Sequence, residues 1–424
     1  MMQKLLDFYR SKMESNRDLL VLLLIGGLYS GGIFLSNTFV NIYLWKQSSD
    51  FVTIAIYNFS ISIFQTVAFV FAGRLTKKID RIVVLRLGVF FLSLFFLSVL
   101  IIGEHAAEFN FMLGSMLGIG YAFYWLAFNV LTFEVTEPDT RDFFNGFLGI
   151  LQSLGGMTGP LFAGFIIAKM TDNIGYTVIF AISFFLFACA VGASFLLKRR
   201  GAEGVFHFRR ILEERNHNRN WKRILHAHFF QGLREGIFAF VISIWVFLVT
   251  ESELALGTFN MFLSGLSVIF YMIATKFIKP AMRKKAILFG GLLLYFSIFI
   301  ILFEINYFLL MVYAVVIGIA YPLITVPYVS LTFDVIGKAW KAGEMRVEYI
   351  VVRELFLNIG RVLSILIFLA GVKFFVAEDV IPLVLTVLGG GHIMIYFFVR
   401  NIYLGSSKRK EILMKDQITD EKNR

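Results

Sequence analysis

Twelve apolar runs follow one another along this chain, each long enough to cross about 30 Å of hydrocarbon. They fall at 19–45, 52–73, 82–103, 109–133, 143–168 and 176–197, then at 224–249, 257–278, 285–303, 307–330, 349–370 and 380–399. The expected fold class is therefore an all-α membrane protein with twelve transmembrane helices. Composition points the same way: 58% of the 424 residues are hydrophobic and 16% are charged, against about 25% charged in a soluble domain. The 50 Phe suit lipid-facing and interfacial surface. The first run, Leu19 to Trp45, is too long for the apolar core of a secretory signal and is expected to be retained. Cys189 is the single cysteine and can form no disulfide within the chain.

A polar stretch between the sixth and seventh runs divides the chain. Residues 1–197 form one six-helix bundle, 198–223 a basic linker, 224–403 a second six-helix bundle and 404–424 a charged tail. The net charge of +11 sits in the short loops, which suits anionic lipid headgroups and argues against a nucleic-acid partner. Lys and Arg resist translocation, so their distribution orients the chain. With the N-terminus in the cytoplasm, the outer loops hold only Lys46, Lys169 and Lys373, while Arg234, Arg353 and Arg361 lie within apolar runs. All the other basic residues are then on the inside. The outer loops collect Asp50, Glu104, Glu108, Asp172, Glu251, Glu253, Glu304, Glu378 and Asp379. The expectation is a cell-membrane protein with both termini cytoplasmic.

The two halves repeat. Gly118-Ile119-Gly120-Tyr121 of helix 4 matches Gly318-Ile319-Ala320-Tyr321 of helix 10, and Leu131 to Val135 matches Leu331 to Val335. Gly27-Leu28 and Gly32-Ile33-Phe34 of helix 1 match Gly232-Leu233 and Gly236-Ile237-Phe238 of helix 7, at nearly the same offset. The end of helix 2, from Ala72 to Arg81, matches that of helix 8, from Ala274 to Arg283. Six plus six in one orientation is a parallel repeat, whose pseudo-twofold axis lies along the membrane normal and whose halves enclose one central cavity.

The loop Gly73-Arg74-Leu75-Thr76-Lys77-Lys78-Ile79-Asp80-Arg81 resembles the signature Gly-x-Leu-Ala-Asp-Arg-x-Gly-Arg of the major facilitator superfamily. Gly73, Leu75 and Arg81 match; the family's acid falls on Lys77 and its second glycine on Asp80. Helix 5 is similar to the glycine-rich motif of the family's proton-coupled antiporters, at Gly146, Gly155, Gly159, Pro160 and Gly164. The resemblance covers essentially the whole chain. It implies alternating access and, through the helix 5 motif, efflux or exchange; close helix packing accounts for the same glycines. It also implies that helices 1, 4, 7 and 10 line the cavity, which makes Asn37, Tyr124, Trp125, Asn129, Tyr321 and Tyr328 candidate contacts. Packing or interfacial anchoring is the competing role for each of them.

Ionisable groups within hydrocarbon normally face a cavity or a partner. Arg234 and Glu235 in helix 7 and Arg353, Glu354 and Arg361 in helix 11 are such groups, all in the second half. Neighbours on a helix point about 100° apart, so Arg234 and Glu235 do not face each other. Glu354, Asn358 and Arg361 make one stripe on helix 11. One reading has a Glu taking up a proton while an Arg holds a polar or anionic solute, since three Arg against two Glu leave the site net positive. The other has these residues as interhelical ion pairs.

Glu134 and Asp334 end helices 4 and 10 at equivalent positions, with Arg81, Arg141, Arg283 and Arg346 nearby, a set placed to form inner-gate salt bridges. The apolar residues of the linker suggest a helix lying against lipid. His226 and His228 lie two apart with no cysteine near, so no metal site is proposed. No phosphate-cradling loop or nucleophile arrangement is present, so no enzyme activity and no cofactor are expected. The leading reading is a monomeric secondary transporter of a small polar solute, coupled to protons; a lipid flippase and a non-transporting sensor or scaffold are the alternatives.

Overall fold

The computed structural model describes residues 17–135, 138–171, 173–198, 204–302 and 304–404; the side chains of 133, 138–143, 145 and 146 lie outside that description, and with them two expected site residues, Arg141 and Gly146. Twelve helices among the described residues are long and apolar enough to cross a membrane. The first half holds α1 (Arg17–Ser48), α2 (Phe51–Lys78), α3 (Arg81–Ile102), α4 (Asn110–Val135), α5 (Pro138–Lys169) and α6 (Ile174–Ser194). The second holds α7 (Arg219–Thr250), α8 (Glu253–Phe277), α9 (Pro280–Leu302), α10 (Tyr307–Gly337), α11 (Arg346–Phe374) and α12 (Ala377–Gly389, continuing as Gly391–Val399). A short linker helix, Phe208–His217, stands between the halves.

Polar residues in the loops start these helices. Asp50 accepts from the N–H groups of Val52 and Thr53 at the start of α2, Asn218 from Asn220 and Trp221 at α7, and Ser252 from Ala255 at α8. The α1–α2 and α7–α8 turns are built alike: Ser49 and Glu251 have φ of 50° and 48°, and each returns its N–H to the helix just ended, at Trp45 O and Phe247 O. An expected repeat in sequence is thus a repeat in backbone geometry.

Packing repeats too. In the first half α1 packs on α5 and α6, α4 on α2 and α3, and α3 on α6. In the second, α7 packs on α11 and α12, α10 on α8 and α9, and α9 on α12. The halves meet along α5–α8 and α2–α11, two seams that exchange under the same rotation. The protein is a multi-pass membrane protein of two six-helix bundles about a pseudo-twofold axis. Glycines set the α5–α8 seam: a Cβ on Gly164 would strike the backbone oxygen of Glu253, and one on Gly257 that of Pro160.

The linker helix is partly covered by the protein itself. Ile211 and Trp221 are fully buried, with the Trp221 indole N–H donating to Ile211 O at 3.3 Å. Phe206 packs on Gly73 and lies at the α2–α11 seam. Ile211, Trp221 and Phe206 of the linker therefore meet protein, while Val205 and the long charged Arg209 are exposed.

Candidate functional site

Between the halves lies a cavity of about 840 Å³, walled by α1, α2 and α4 on one side and α7, α8, α10 and α11 on the other. Val329 and Phe333, on its wall at the linker-side end of α10, are 40% and 43% exposed, whereas Phe259, Ile242 and Tyr313 bury its far end. The cavity therefore opens toward the face that carries the linker.

The first half presents a neutral wall. Tyr121 donates its hydroxyl to Asn37 at 3.0 Å, and Asn58 donates to Asn41 at 2.8 Å. Gln65, Trp125 and Asn129 also face the cavity. Tyr124 does not. It is buried, with its ring stacked on Tyr29 at 3.9 Å between centroids, one helical step round α4 from Trp125.

The second half presents the charge. A close crossing of α7 and α11 places it: a Cβ on Gly232 would meet Leu357 O and one on Gly360 would meet Phe229 O. Backbones this near bring Glu235 of α7 to Arg361 of α11, where the guanidinium donates to Glu235 Oε2 at 2.6 Å. Glu235 Oε1 accepts from Gln231 at 2.8 Å and from the Tyr321 hydroxyl at 3.1 Å. Asn358, fully buried, accepts from Arg361 at 3.1 Å and fixes its angle. Arg353 pairs with its neighbour Glu354 on the cavity wall. Arg234 is 4% exposed and lays its guanidinium over the Phe238 ring, 4.3 Å from its centroid.

Two buried histidines stand behind this wall, and neither was assigned a role from sequence alone. His228 is buried in α7, its Nδ1 2.6 Å from the Tyr328 hydroxyl. That bond holds Tyr328 off the cavity wall, at 2% exposure. His392 is buried in α12 beside the Tyr321 ring. Their signal in the sequence was a histidine inside an apolar run, the same signal that marked the five Arg and Glu.

Four of the expected gate residues pair within their own halves. Arg81 meets Glu134 at 2.8 Å between α3 and α4, and Arg283 meets Asp334 at 2.6 Å between α9 and α10. Arg346 begins α11. Other contacts cross between the halves. Lys46 of α1 and Tyr176 of α6 both reach Glu253 of α8, at 3.1 and 2.8 Å, on the face away from the linker. On the linker face, Lys77 of α2 reaches Glu348 of α11 at 3.4 Å. The helix 5 glycines pack: Gly155 and Gly159 against Phe34 of α1, and Gly164 against α8. No group of three or more His, Cys, Asp or Glu among the described residues is arranged to hold a metal ion.

The family model of the Major Facilitator Superfamily matches residues 19–365. A protein of Bacillus subtilis (strain 168), "Uncharacterized protein YqgE", is 58% identical over 389 residues, covering 92% of this chain and 90% of that one. A Geobacillus stearothermophilus sequence, "Uncharacterized protein in sodM 3'region", is 55% identical over 196 residues, covering 46% of this chain and 92% of its own length. The structure of the human organic anion transporter MFSD10 (TETRAN) superposes with a TM-score of 0.66 at 14% identity, over 90% of this chain and 99% of that one. That of the peptide transporter POT in complex with sulfate does so with a TM-score of 0.69 at 12% identity, over 91% and 94%. At such identities the two structures share the fold with this chain.

Proposed function

The chain belongs to the Major Facilitator Superfamily, and from that premise we propose that it is a secondary transporter that moves a small polar solute by alternating access, coupled to protons. The observation that carries this reading is Glu235: a carboxylate on the wall of the central cavity, bonded to Arg361, Tyr321 and Gln231. Its proton affinity depends on that guanidinium and on its access to water, so a solute that draws Arg361 away alters it. The cavity then couples two events, solute arrival and proton binding, through one ion pair.

The distribution of basic residues supports an orientation with the linker and both termini in the cytoplasm, and a protein of the cell membrane is the reading we adopt. The cavity mouth is then on the cytoplasmic side. The helix 5 motif favours exchange or efflux over uptake. A lipid flippase needs a lateral opening between the halves. Against it, no described residue of α5 lines the cavity, and α5 is pressed against α8 at Gly164 and Gly257.

The deciding experiment is flux in proteoliposomes of the purified protein, with an internal pH dye and a panel of anions, cationic drugs and lipids. Proton movement that depends on one of these solutes is the expected result. Its absence across the whole panel overturns coupled transport.

A further inference from the structure

We infer that Arg234 is the anchor for a substrate bearing one net negative charge, a carboxylate being the group that fits; this rests on the transport reading of the same cavity. Pairing carries the argument. Five ionisable Arg and Glu side chains line the cavity: Arg234, Glu235, Arg353, Glu354 and Arg361. Arg361 is held by Glu235 at 2.6 Å and Arg353 by Glu354. Arg234 has no carboxylate partner among the described residues. Glu235 adjoins it in sequence, but both its oxygens are occupied, one by Arg361 and the other by Tyr321 and Gln231.

The surroundings of Arg234 are built for a guest. Its guanidinium lies over the Phe238 ring, the residue is 4% exposed, and its Nε has no hydrogen-bond partner. The Tyr313 hydroxyl adjoins it. His392 of α12 is 2% exposed, and its Nδ1 also lacks a partner. A guanidinium at this depth is retained where it meets a counter-charge or water. Here it faces an open cavity instead of a protein carboxylate. Its planar fork matches a carboxylate with two parallel hydrogen bonds.

Charge sets the number. With both carboxylates ionised, two of them against three guanidiniums leave one positive charge, which a monoanion neutralises and a dianion overshoots. The opposite wall adds none: Asn37, Asn41 and Asn58 offer amides, and Tyr121 and Trp125 offer ring surface. At about 840 Å³ the space suits an organic acid of drug-like size.

The test is thermal unfolding of the purified full chain with acetate, benzoate and 1-naphthoate, each set against its neutral amide, and with phthalate as the dianion. At least one monoanion should raise the melting temperature saturably while its amide does not, and phthalate should do so less. Arg234→Gln should weaken that binding tenfold or more, and Arg234→Lys should restore part of it; the Lys variant also covers a Gln variant that does not fold. Monoanions no better than their amides, or a benzoate shift that survives Arg234→Gln, overturn the proposal. Flux of some solute indifferent to both the monoanions and Arg234 would remove this site and leave transport standing. Binding that needs Arg234, with no flux of any solute, would do the reverse.

Discussion

Arg361 on α11 donates to Glu235 on α7 at 2.6 Å, and both helices belong to the second half, so rocking of one half against the other does not by itself part them. The pair sits on the cavity wall, with 26% and 15% of the two side chains exposed. Glu235→Gln keeps the shape and the contacts of Oε1 but carries no proton. Solute-driven proton movement should fall at least tenfold in proteoliposomes, with a protein that still folds but melts lower because Arg361 loses its acceptor. Arg361→Gln strands the carboxylate; the cost is about 3–5 kcal/mol for a fully buried pair, and cavity water reduces it here. The double variant should recover part of that loss. A Glu235→Gln protein that unfolds, or one that still moves protons, would make the pair a structural fastening.

The α5 glycines give a second, independent test. A Cβ on Gly159 would lie 3.0 Å from the backbone carbon of Phe34, and one on Gly164 would collide with the backbone of Glu253. Neither neighbour is a flexible side-chain tip, so Gly164→Ala and Gly159→Ala must push helices apart. A Cβ on Gly149 in the same helix would meet nothing within 4 Å. Gly149→Ala should be neutral or stabilising by about 0.5–1 kcal/mol, as for a glycine in a helix interior. Melting temperatures of the three variants check the order; equal effects would mean the close approaches are not what these glycines provide.

The helices and their repeat were legible because lipid imposes length and hydropathy on each span. The stripe Glu354, Asn358 and Arg361 was legible because helical spacing puts those positions on one face. The rotation of α4 was only partly used: Tyr121, Trp125 and Asn129 lie four residues apart and share one face, which turns Tyr124 about 100° away from it. Trp125 lines the cavity and Tyr124 stacks on Tyr29. Partner choice was hidden: Asp80 caps α3 by accepting from Ile82 N–H, so the departure of the loop from the family signature is resolved by Lys77, which turns to the other half. Which acid meets it depends on how α2 and α11 pack, and no local pattern encodes that.

Glu253 is 7% exposed and joins three helices from both halves, accepting from Lys46 and from the Tyr176 hydroxyl. It is a latch on the face away from the linker. Glu253→Gln keeps a hydrogen bond to Tyr176 but loses the charge that holds Lys46. Spin labels placed on the far ends of α1 and α8, in a Cys189→Ser background, should show longer and broader distances between the halves. An unchanged distribution would mean that α5–α8 packing alone keeps that face shut.

On the linker face the charge order is reversed relative to the family signature. Lys77 stands at the position of the family's acid, and the carboxylate is Glu348 on α11, 3.4 Å away and fully buried. Lys77 also donates to Glu344 O at 2.7 Å, and Glu348 accepts from the His207 backbone N–H at 3.3 Å. One ion pair thus ties α2, α11 and the linker together. Lys77→Glu sets two carboxylates against each other where Glu348 is fully buried, so it should both lower the melting temperature and loosen this face. Glu348→Lys alone should do the same by opposing Lys77. The exchange variant, Lys77→Glu with Glu348→Lys, restores an attractive pair in the order the signature uses. It should recover most of the melting temperature and the flux that the single changes remove. The recovery should be incomplete, because the His207 N–H then faces an ammonium and loses its acceptor. If the exchange variant is no better than the worse single one, the two residues act separately, and each is held by the groups around it and not by the other.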